Sequence, residues 1–326
     1  MTAPVTTATR PPARAGAGAG VLRVVVTKVL TAIVVLFFVA TAAFLLVRLS
    51  GDPVKLILPP DATAAQEATL RASLGLDRPL ITQYLDYLAG LPRLQLGNSL
   101  VYDQPVTDVL FSRVPATLEL AGSALLVALA LAVPAGTFAA MRRGRAGDSG
   151  VMAGVLVGQS TPAFWVGILL ILIFAVQLKI LPASGYGGIE HLILPAVTLA
   201  VYSVAVIARL LRSSLIDVLG SDFIRTAKAK GLGTGGIVLG HGMRNAALPV
   251  VTVIGLEVGS LLGGAILTEQ VFSWPGLGRL TVEAIQNRDF PLVQAAVLFF
   301  AATFVIVNLL VDLSYTILDP RVRVTS

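Results

Sequence analysis

The 326-residue sequence has no cysteine and only two histidines, His191 and His241, which lie fifty positions apart. The missing cysteines exclude disulfides, thiolate ligands and thiol catalysis. The two histidines make no metal-binding spacing, so no metal site is expected. Charged residues make up only 13% of the chain, whereas soluble domains carry about 25%. With 56% hydrophobic residues and a mean hydropathy of +0.85, the composition predicts an integral membrane protein.

Uncharged runs long enough to cross a bilayer occur six times. A helix needs about 20 apolar residues to cross the hydrocarbon core. The runs are Val29–Val47, Leu120–Met141, Ser149–Leu178, Leu192–Ala208, Ala246–Thr268 (interrupted by Glu257) and Phe290–Val311. The third run is longer than one span needs, so its helix is expected to tilt or to end inside the run. The sequence therefore predicts an all-α membrane protein with six transmembrane helices.

Basic residues are distributed unevenly among the segments between these runs. Basic and acidic residues number four and none in residues 1–28, three and one in 142–148, and six and two in 209–245. The alternate segments are nearly balanced, with six and seven in 48–113, one and one in 179–191, and two and three in 269–289. Because a basic excess marks the cytoplasmic side, both termini are predicted to lie inside. The net charge of +6 is attributed to cytoplasmic loops, and no nucleic-acid partner is expected.

The pattern divides the chain into a tail and one membrane domain. Residues 1–20 are rich in Ala, Pro, Thr and Gly, and are predicted to be a disordered cytoplasmic tail. Residues 21–326 form the membrane domain, with a long external loop at 48–113 and a cytoplasmic loop at 209–245. The external loop is predicted to be partly helical, with one helix over Ala64–Leu74 that ends at Gly75 and another after Pro79.

Residues 225–236, RTAKAKGLGTGG, contain a match to the dinucleotide-binding pattern G-x-G-x-x-G. That pattern requires a buried strand before the first glycine. Here the preceding residues favour a short helix, which Asp222 can cap and which Gly231 can end in a left-handed conformation. The dipeptide Gly-Lys of a Walker A motif occurs nowhere, so ATP would have to bind another subunit. We interpret the segment either as a basic loop that meets lipid headgroups or as a helix that docks into a partner.

Several longer stretches resemble ABC importer permeases, and are most similar to the B-type permease of dipeptide, oligopeptide and nickel importers. The resemblance covers roughly residues 24–323. It is carried by Arg225-Thr-Ala-Lys-Ala-Lys-Gly-Leu with Leu248-Pro249, by Leu181-Pro-Ala-Ser-Gly-Tyr-Gly-Gly, by Glu269-Gln-Val-Phe-Ser-Trp-Pro-Gly-Leu-Gly-Arg-Leu, and by Leu318-Asp-Pro-Arg-Val-Arg. The general coupling motif of this superfamily begins Glu-Ala-Ala, but Arg225 and Thr226 stand at its first two places here. This departure, with the late position of Pro249, argues against a sugar permease.

The resemblance implies a type I permease fold in the bacterial plasma membrane. It implies a complex with a second, homologous C-type permease, two ATPase subunits and an extracytoplasmic binding protein. ATP and Mg would be bound by the partners, so this chain would hold no cofactor and no catalytic residue. The implied substrates are di- and oligopeptides, with a nickel chelate or glutathione as alternatives. The residues implied to contact the ATPase are Arg225, Thr226, Ala227, Lys228, Ala229, Lys230, Gly231 and Leu232.

Two further groups of residues are candidates for contact with substrate or with the binding protein. Glu257, Gln159 and Ser160 are polar residues within the spans, and are hypothesised to line the translocation path. The alternative is a hydrogen-bonded carboxyl at a helix interface for Glu257 and bonding within the helix near Pro162 for Ser160. The external residues Phe272, Trp274, Pro275, Gly276 and Arg279 are predicted to form a gate beneath the binding protein, with an interfacial anchoring helix as the alternative.

Functions of another class are an ATP-independent channel and an intramembrane hydrolase. A serine hydrolase needs a nucleophile and a base within the membrane, but neither histidine lies well inside a span. Channel activity would appear as flux through the isolated chain without ATP.

Overall fold

The computed structural model describes residues 17–49, 54, 58, 61–73 and 75–318. Apart from one antiparallel bridge between Asn98 and Pro105, the described residues form helices and their connections. The helices are α1 (Ala17–Leu49), α2 (Ala64–Ser73), α3 (Leu80–Gly90), α4 (Val106–Met141), α5 (Ala146–Ser160), α6 (Ala163–Leu170, continued by a π-helical segment to Gln177), α7 (Ile189–Leu219), α8 (Asp222–Ala229), α9 (Thr234–Val271, with a π-helical segment at Ile237–Gly242), α10 (Leu277–Gln286) and α11 (Phe290–Leu318).

Five of these helices, α1, α4, α7, α9 and α11, are long and apolar enough to cross a membrane. The sixth crossing is the pair α5 and α6, which meet at a 103° bend. Asp148 at the start of α5 contacts Arg212 near the cytoplasmic end of α7. At the other end, a Cβ on Gly167 of α6 would lie 3.1 Å from the ring of Phe272, which follows α9 on the external side. The pair therefore extends from one membrane face to the other, as expected for a third run too long for one straight helix.

The centre of the molecule is the packing of α4 against α7. Small residues of α4 line this contact, and all are buried: Ala121, Ala124, Ala128, Ala132, Gly136 and Ala140. A Cβ on Gly136 would lie only 2.7 Å from the carbonyl oxygen of Ala208 in α7. In a membrane, where lipid is as apolar as leucine, such close backbone approach supplies the van der Waals contact that holds helices together.

The glycines of α9 serve the same purpose. A Cβ on Gly255 would collide with Val311 of α11, and one on Gly259 would lie 3.2 Å from Phe304 of the same helix. Gly264 faces Leu199 of α7. These small residues let α9 pack closely between α7 and α11.

The external helix α3 packs on the outer half of α1. Phe44 of α1 contacts the rings of Tyr84 and Tyr87, and the Thr41 hydroxyl shares a 2.7 Å hydrogen bond with that of Tyr84. The side chain of Arg48 donates to Gln83. The predicted helices of the external loop are confirmed at Ala64–Ser73 and Leu80–Gly90, with Gly75 at φ +64°.

Helices extend past three of the boundaries predicted from the sequence. Helix α1 begins at Ala17, so residues 17–20 are helical, while residues 1–16 lie outside the described residues. Helix α4 begins at Val106, so the end of the predicted 48–113 loop belongs to a span. Helices α7 and α9 extend far into 209–245 and leave only residues 220–233 between them, including α8. In each case, charged residues continue the helix beyond the uncharged run.

Candidate functional site

The cytoplasmic connection between α7 and α9 is held to the rest of the chain by a small apolar cluster. Ile224 and Ala227 of α8 are buried, and they pack with Ile237 of α9 and Leu219 of α7. These two residues lie three positions apart on one side of a two-turn helix, which is the spacing that brings side chains to one face. One face of α8 is therefore fixed on the chain, and the opposite face is exposed among the residues that the structure describes.

The ends of α8 depart slightly from the prediction. Ser221 occupies the N-cap position, and Asp222 is the first helical residue, with its carboxylate 3.1 Å from the Arg225 guanidinium. The predicted capping role of Asp222 is therefore wrong by one residue. Gly231 has a φ of +81°, which confirms its predicted role as the left-handed residue that ends the segment.

The eight residues predicted to contact an ATPase do not all face outward. Ala227 is buried against the chain in this structure, and its contact with a partner stays a prediction. The remaining seven are exposed: Arg225, Thr226, Lys228, Ala229, Lys230, Gly231 and Leu232. Phe223, which was not predicted, is 47% exposed on the same surface. We call these seven residues with Phe223 the coupling surface.

An ion pair between the Asp148 carboxylate and the partly exposed Arg212 guanidinium lies at the same membrane face. The Asp148 carboxylate accepts two hydrogen bonds of 2.6 Å from the Arg212 guanidinium and one of 2.9 Å from the backbone N–H of Gly144. It ties the start of α5 to α7, two turns before α7 ends next to α8. From the sequence alone, Asp148 is only one of the charges in the segment 142–148. A lone acid among the arginines of 142–145 is the sequence feature that could have indicated this pairing.

Glu257 lies within the chain in this structure. Its side chain is 6% exposed and accepts a 2.5 Å hydrogen bond from the hydroxyl of Ser203 in α7. This is the helix-interface arrangement that the sequence left as the alternative. A buried carboxyl needs such a partner because an unpaired one is costly in hydrocarbon.

The other two residues predicted on the path lie at the bend. Gln159 is half-buried and accepts a 2.8 Å hydrogen bond from Arg209, whereas Ser160 is exposed at the end of α5. Pro162 occupies the N-cap position directly before α6, outside the helical hydrogen bonds that its missing N–H would break. The structure brings Gln159 close to α7 but does not join it to Glu257.

On the external side, Glu269 at the end of α9 organises the connection to α10. Its buried carboxylate accepts a 2.7 Å hydrogen bond from the Thr117 hydroxyl of α4 and a 3.0 Å bond from the backbone N–H of Arg279. The Thr117 hydroxyl in turn accepts a 2.8 Å bond from the backbone N–H of Leu277. Nothing in the sequence pattern around Glu269 and Thr117 indicates these bonds. We call this set of hydrogen bonds the Glu269 clamp.

Three residues of the predicted gate lie next to the clamp. Phe272 and Trp274 are each 1% exposed, and the Trp274 indole N–H donates a 2.8 Å hydrogen bond to the carbonyl of Ala116. A Cβ on Gly276 would collide with the Glu269 carboxylate. In this structure Phe272, Trp274 and Gly276 are buried within the chain, and their contact with a binding protein stays a prediction. The burial of Trp274 does not fit the alternative of an interfacial anchor. These residues pack the outer ends of α4 and α9 together.

The rest of the predicted gate lies nearer the surface. Pro275 is half-buried, and the Arg279 guanidinium bonds Glu283 and the carbonyl of Ser273, both at 2.7 Å. Tyr186, from the loop between α6 and α7, stacks edge-on against Trp274 with ring centroids 4.8 Å apart. Its hydroxyl donates a 3.0 Å hydrogen bond to Glu119, and this bond raises the pKa of the Tyr186 phenol.

Two family profiles cover most of the chain. Residues 21–121 match the N-terminal part of binding-protein-dependent transport system membrane components. Residues 132–324 match the binding-protein-dependent transport system inner membrane component. The chain belongs to this family. These transport components are membrane permeases of ABC importers, which are not enzymes and whose ATPase is a separate subunit.

Relatives with this family's function are similar to the chain over nearly its whole length. The glutathione transport system permease protein GsiC of Escherichia coli strain K12 is 43% identical over 303 residues, which cover 93% of this chain and 99% of the relative. GsiC of Shigella flexneri serotype 5b shows the same identity and coverage.

Solved structures support the fold. The inward-facing MetNI methionine ABC transporter matches with a TM-score of 0.53 at 19% identity, over 66% of this chain and 98% of that chain. An amino acid ABC transporter with histidines gives 0.51 at 16% identity, over 65% and 95%. At these identities the likeness concerns the ABC importer permease fold alone.

Proposed function

We propose that this permease carries short peptides across the inner membrane, and that glutathione, a tripeptide, is one of them. The observation that carries the proposal is the 43% identity to GsiC over 99% of its length. The chain would work with a second homologous permease, two ATPase subunits and an external binding protein. A nickel chelate is the competing substrate.

The substrate is tested with right-side-out membrane vesicles that contain the complete transporter and its binding protein. Uptake of labelled glutathione is measured against a panel of unlabelled di- and tripeptides and a nickel chelate. The proposal predicts ATP-dependent uptake that short peptides inhibit and the chelate does not. Uptake of the chelate alone would contradict it.

We further propose that the coupling surface transmits closure of the ATPases to the spans. Support comes from the burial of Ile224 and Ala227, which would let a force on α8 reach α7 and α9 directly. It also comes from the mixed apolar and basic character of the exposed residues Phe223, Arg225, Lys228 and Leu232. Such surfaces, with apolar contacts inside a charged rim, suit protein docking.

Ala229→Glu tests this role, since Ala229 is exposed and its substitution disturbs no packing within the chain. We expect normal insertion but loss of ATPase co-purification and of uptake. Ala68→Glu in α2 is the matched control, because it places the same charge on an exposed external helix position. Uptake by the Ala229→Glu variant equal to that of the control would refute the proposal.

Residues 159–162 are proposed to line the translocation path, since the spans bend most sharply there and Ser160 is exposed. For Glu257, the bond to Ser203 favours a role in holding α7 to α9. Glu257→Gln is therefore expected to retain peptide uptake, whereas a bulky residue at Ser160 should reduce it.

A further inference from the structure

A groove at the external end of α4 has the composition of a small anion site. It encloses about 290 Å³, which is close to the lower end of the roughly 300–1,000 Å³ that small-molecule sites span. Its walls come from Ser112, Arg113, Pro115 and Ala116 of α4, Tyr186 of the α6–α7 loop, and Pro275 beside the clamp. This volume suits one end of a peptide.

Arg113 is the charged group of the groove. It is half-buried, and within the described part of the chain its side chain makes no ion pair or hydrogen bond. A guanidinium held partly out of water without a counter-charge favours binding of an anion. Its planar donors match a carboxylate with two parallel hydrogen bonds.

The opposite wall is fixed in place. Tyr186 is held by its hydrogen bond to Glu119 and by its edge-on contact with the buried Trp274. The backbone N–H of the neighbouring Gly185 also donates a 3.3 Å bond to the carbonyl of Phe272. A wall anchored in this way loses little conformational freedom when a ligand binds, which favours affinity.

We infer that Arg113, Ser112 and Tyr186 form an external subsite for the carboxylate of the imported peptide. The subsite rests on the proposed function, because it receives the peptide on the side where the binding protein releases it. Arg113 binds the carboxylate, and Glu119 is a positioning residue that holds Tyr186. The subsite lies at the opposite end of the molecule from the coupling surface.

The absence of native cysteine allows a direct test by thiol labelling. Ser112→Cys places a thiol on the exposed wall of the groove, and Gln104→Cys is the control at an exposed external position outside it. The complete transporter is reconstituted, and the rate at which a membrane-impermeant thiol reagent modifies this chain is measured with increasing glutathione, added as its S-methyl derivative so that the ligand has no thiol to consume the reagent. We expect this blocked glutathione to slow labelling at position 112 and not at position 104.

The role of Arg113 is tested in the Ser112→Cys background. Arg113→Gln should raise the glutathione concentration for half-protection by about tenfold or more, as expected for the loss of a charge-assisted hydrogen bond. Arg113→Lys, which keeps the charge but loses the planar fork, should lie between the two. Protection that is unchanged by Arg113→Gln would overturn the assignment.

The remaining outcomes are equally decisive. Glutathione uptake without protection of position 112, or a thiol that the reagent cannot reach, would refute the subsite and leave the proposed function standing. Absence of uptake would refute both. A labelling rate that depends on anionic lipid and not on glutathione would show that Arg113 binds a lipid phosphate, which also contradicts the inference.

Discussion

The Glu269 clamp predicts opposite effects for two threonines that are both buried at the external end of the spans. Thr117 donates to the Glu269 carboxylate and accepts from the Leu277 N–H. Thr268 is fully buried, but its hydroxyl has no hydrogen-bond partner in the described part of the chain. Valine is nearly isosteric with threonine, so each substitution removes a hydroxyl and leaves the packing almost unchanged.

The magnitudes follow from the bonds that are lost. Thr117→Val leaves the buried Leu277 N–H unpaired, which costs about 1–3 kcal/mol, and removes a bond to a carboxylate worth about 1.5–3 kcal/mol. Glu269 keeps its backbone donors, so we expect a net loss of about 3 kcal/mol in the free energy of unfolding. Thr268→Val removes a polar atom that gains nothing in the folded state. It should be neutral or stabilising by about 1 kcal/mol.

The free energy of unfolding is measured by titrating the purified protein in mild detergent with a denaturing detergent. The tryptophan fluorescence of the buried Trp274 follows the transition, with Trp165→Phe as the background that isolates it. Equal destabilisation by the two valine substitutions would refute the reasoning, because both would then act through packing and not through the clamp.

Three further predictions concern packing, the cytoplasmic ion pair and pH. Gly136→Ala should impair assembly of α4 with α7, because its Cβ would lie 2.7 Å from the Ala208 carbonyl. The control is Gly122→Ala, whose Cβ meets nothing within 4 Å and which should stabilise the helix by up to about 1 kcal/mol. The yield of folded protein is compared between the two variants. Asp148→Asn should lower the free energy of unfolding because it leaves Arg212 without its counter-charge. If adding Arg212→Gln recovers none of the loss in unfolding titrations, the pair is not the cause. Burial raises the pKa of Tyr87 from 10.0 to about 12. The contribution of the neutral Tyr87 phenol to stability is therefore complete below pH 10 and falls as the pH rises towards 12. Tyr87→Phe should remove that part of the alkaline loss of stability, measured as unfolding midpoints.

The apolar runs and the loop charges were sufficient to predict the helical membrane fold and its orientation. They could not predict where helices end, because α4 and α7 continue through polar residues that tertiary contacts and membrane interfaces accommodate. Helix α4, for example, begins at Val106, fourteen residues before the uncharged run. The bend between α5 and α6 was partly predictable from the length of the third run and from Pro162.

The external residues were harder to interpret from the sequence. An aromatic residue beside Pro275-Gly276 suggests an exposed interface, but Trp274 is buried because Ala116 supplies an acceptor for its indole N–H. The same applies to Glu269, whose donors come from α4 and α10, far apart along the chain. A buried charge is satisfied by long-range partners, and single-sequence periodicity contains no information about them.

The short segment at 222–232 was better predicted than its glycine pattern suggested. The helix and the left-handed Gly231 are local features, set by capping and by φ, and both are present. The burial of Ala227 was missed because α8 has an alanine on each side, with Ala227 facing the chain and Ala229 exposed, and the sequence does not distinguish them.

The central claim is that this chain is the membrane path of an ATP-driven peptide importer. The most direct measurement is glutathione accumulation in proteoliposomes that contain the complete complex, with ATP supplied at the ATPase side and the binding protein at the other. The account predicts accumulation against a gradient that requires both ATP and the binding protein, and that Ala229→Glu abolishes. Equilibrating flux through this chain without ATP or its partners would contradict the account.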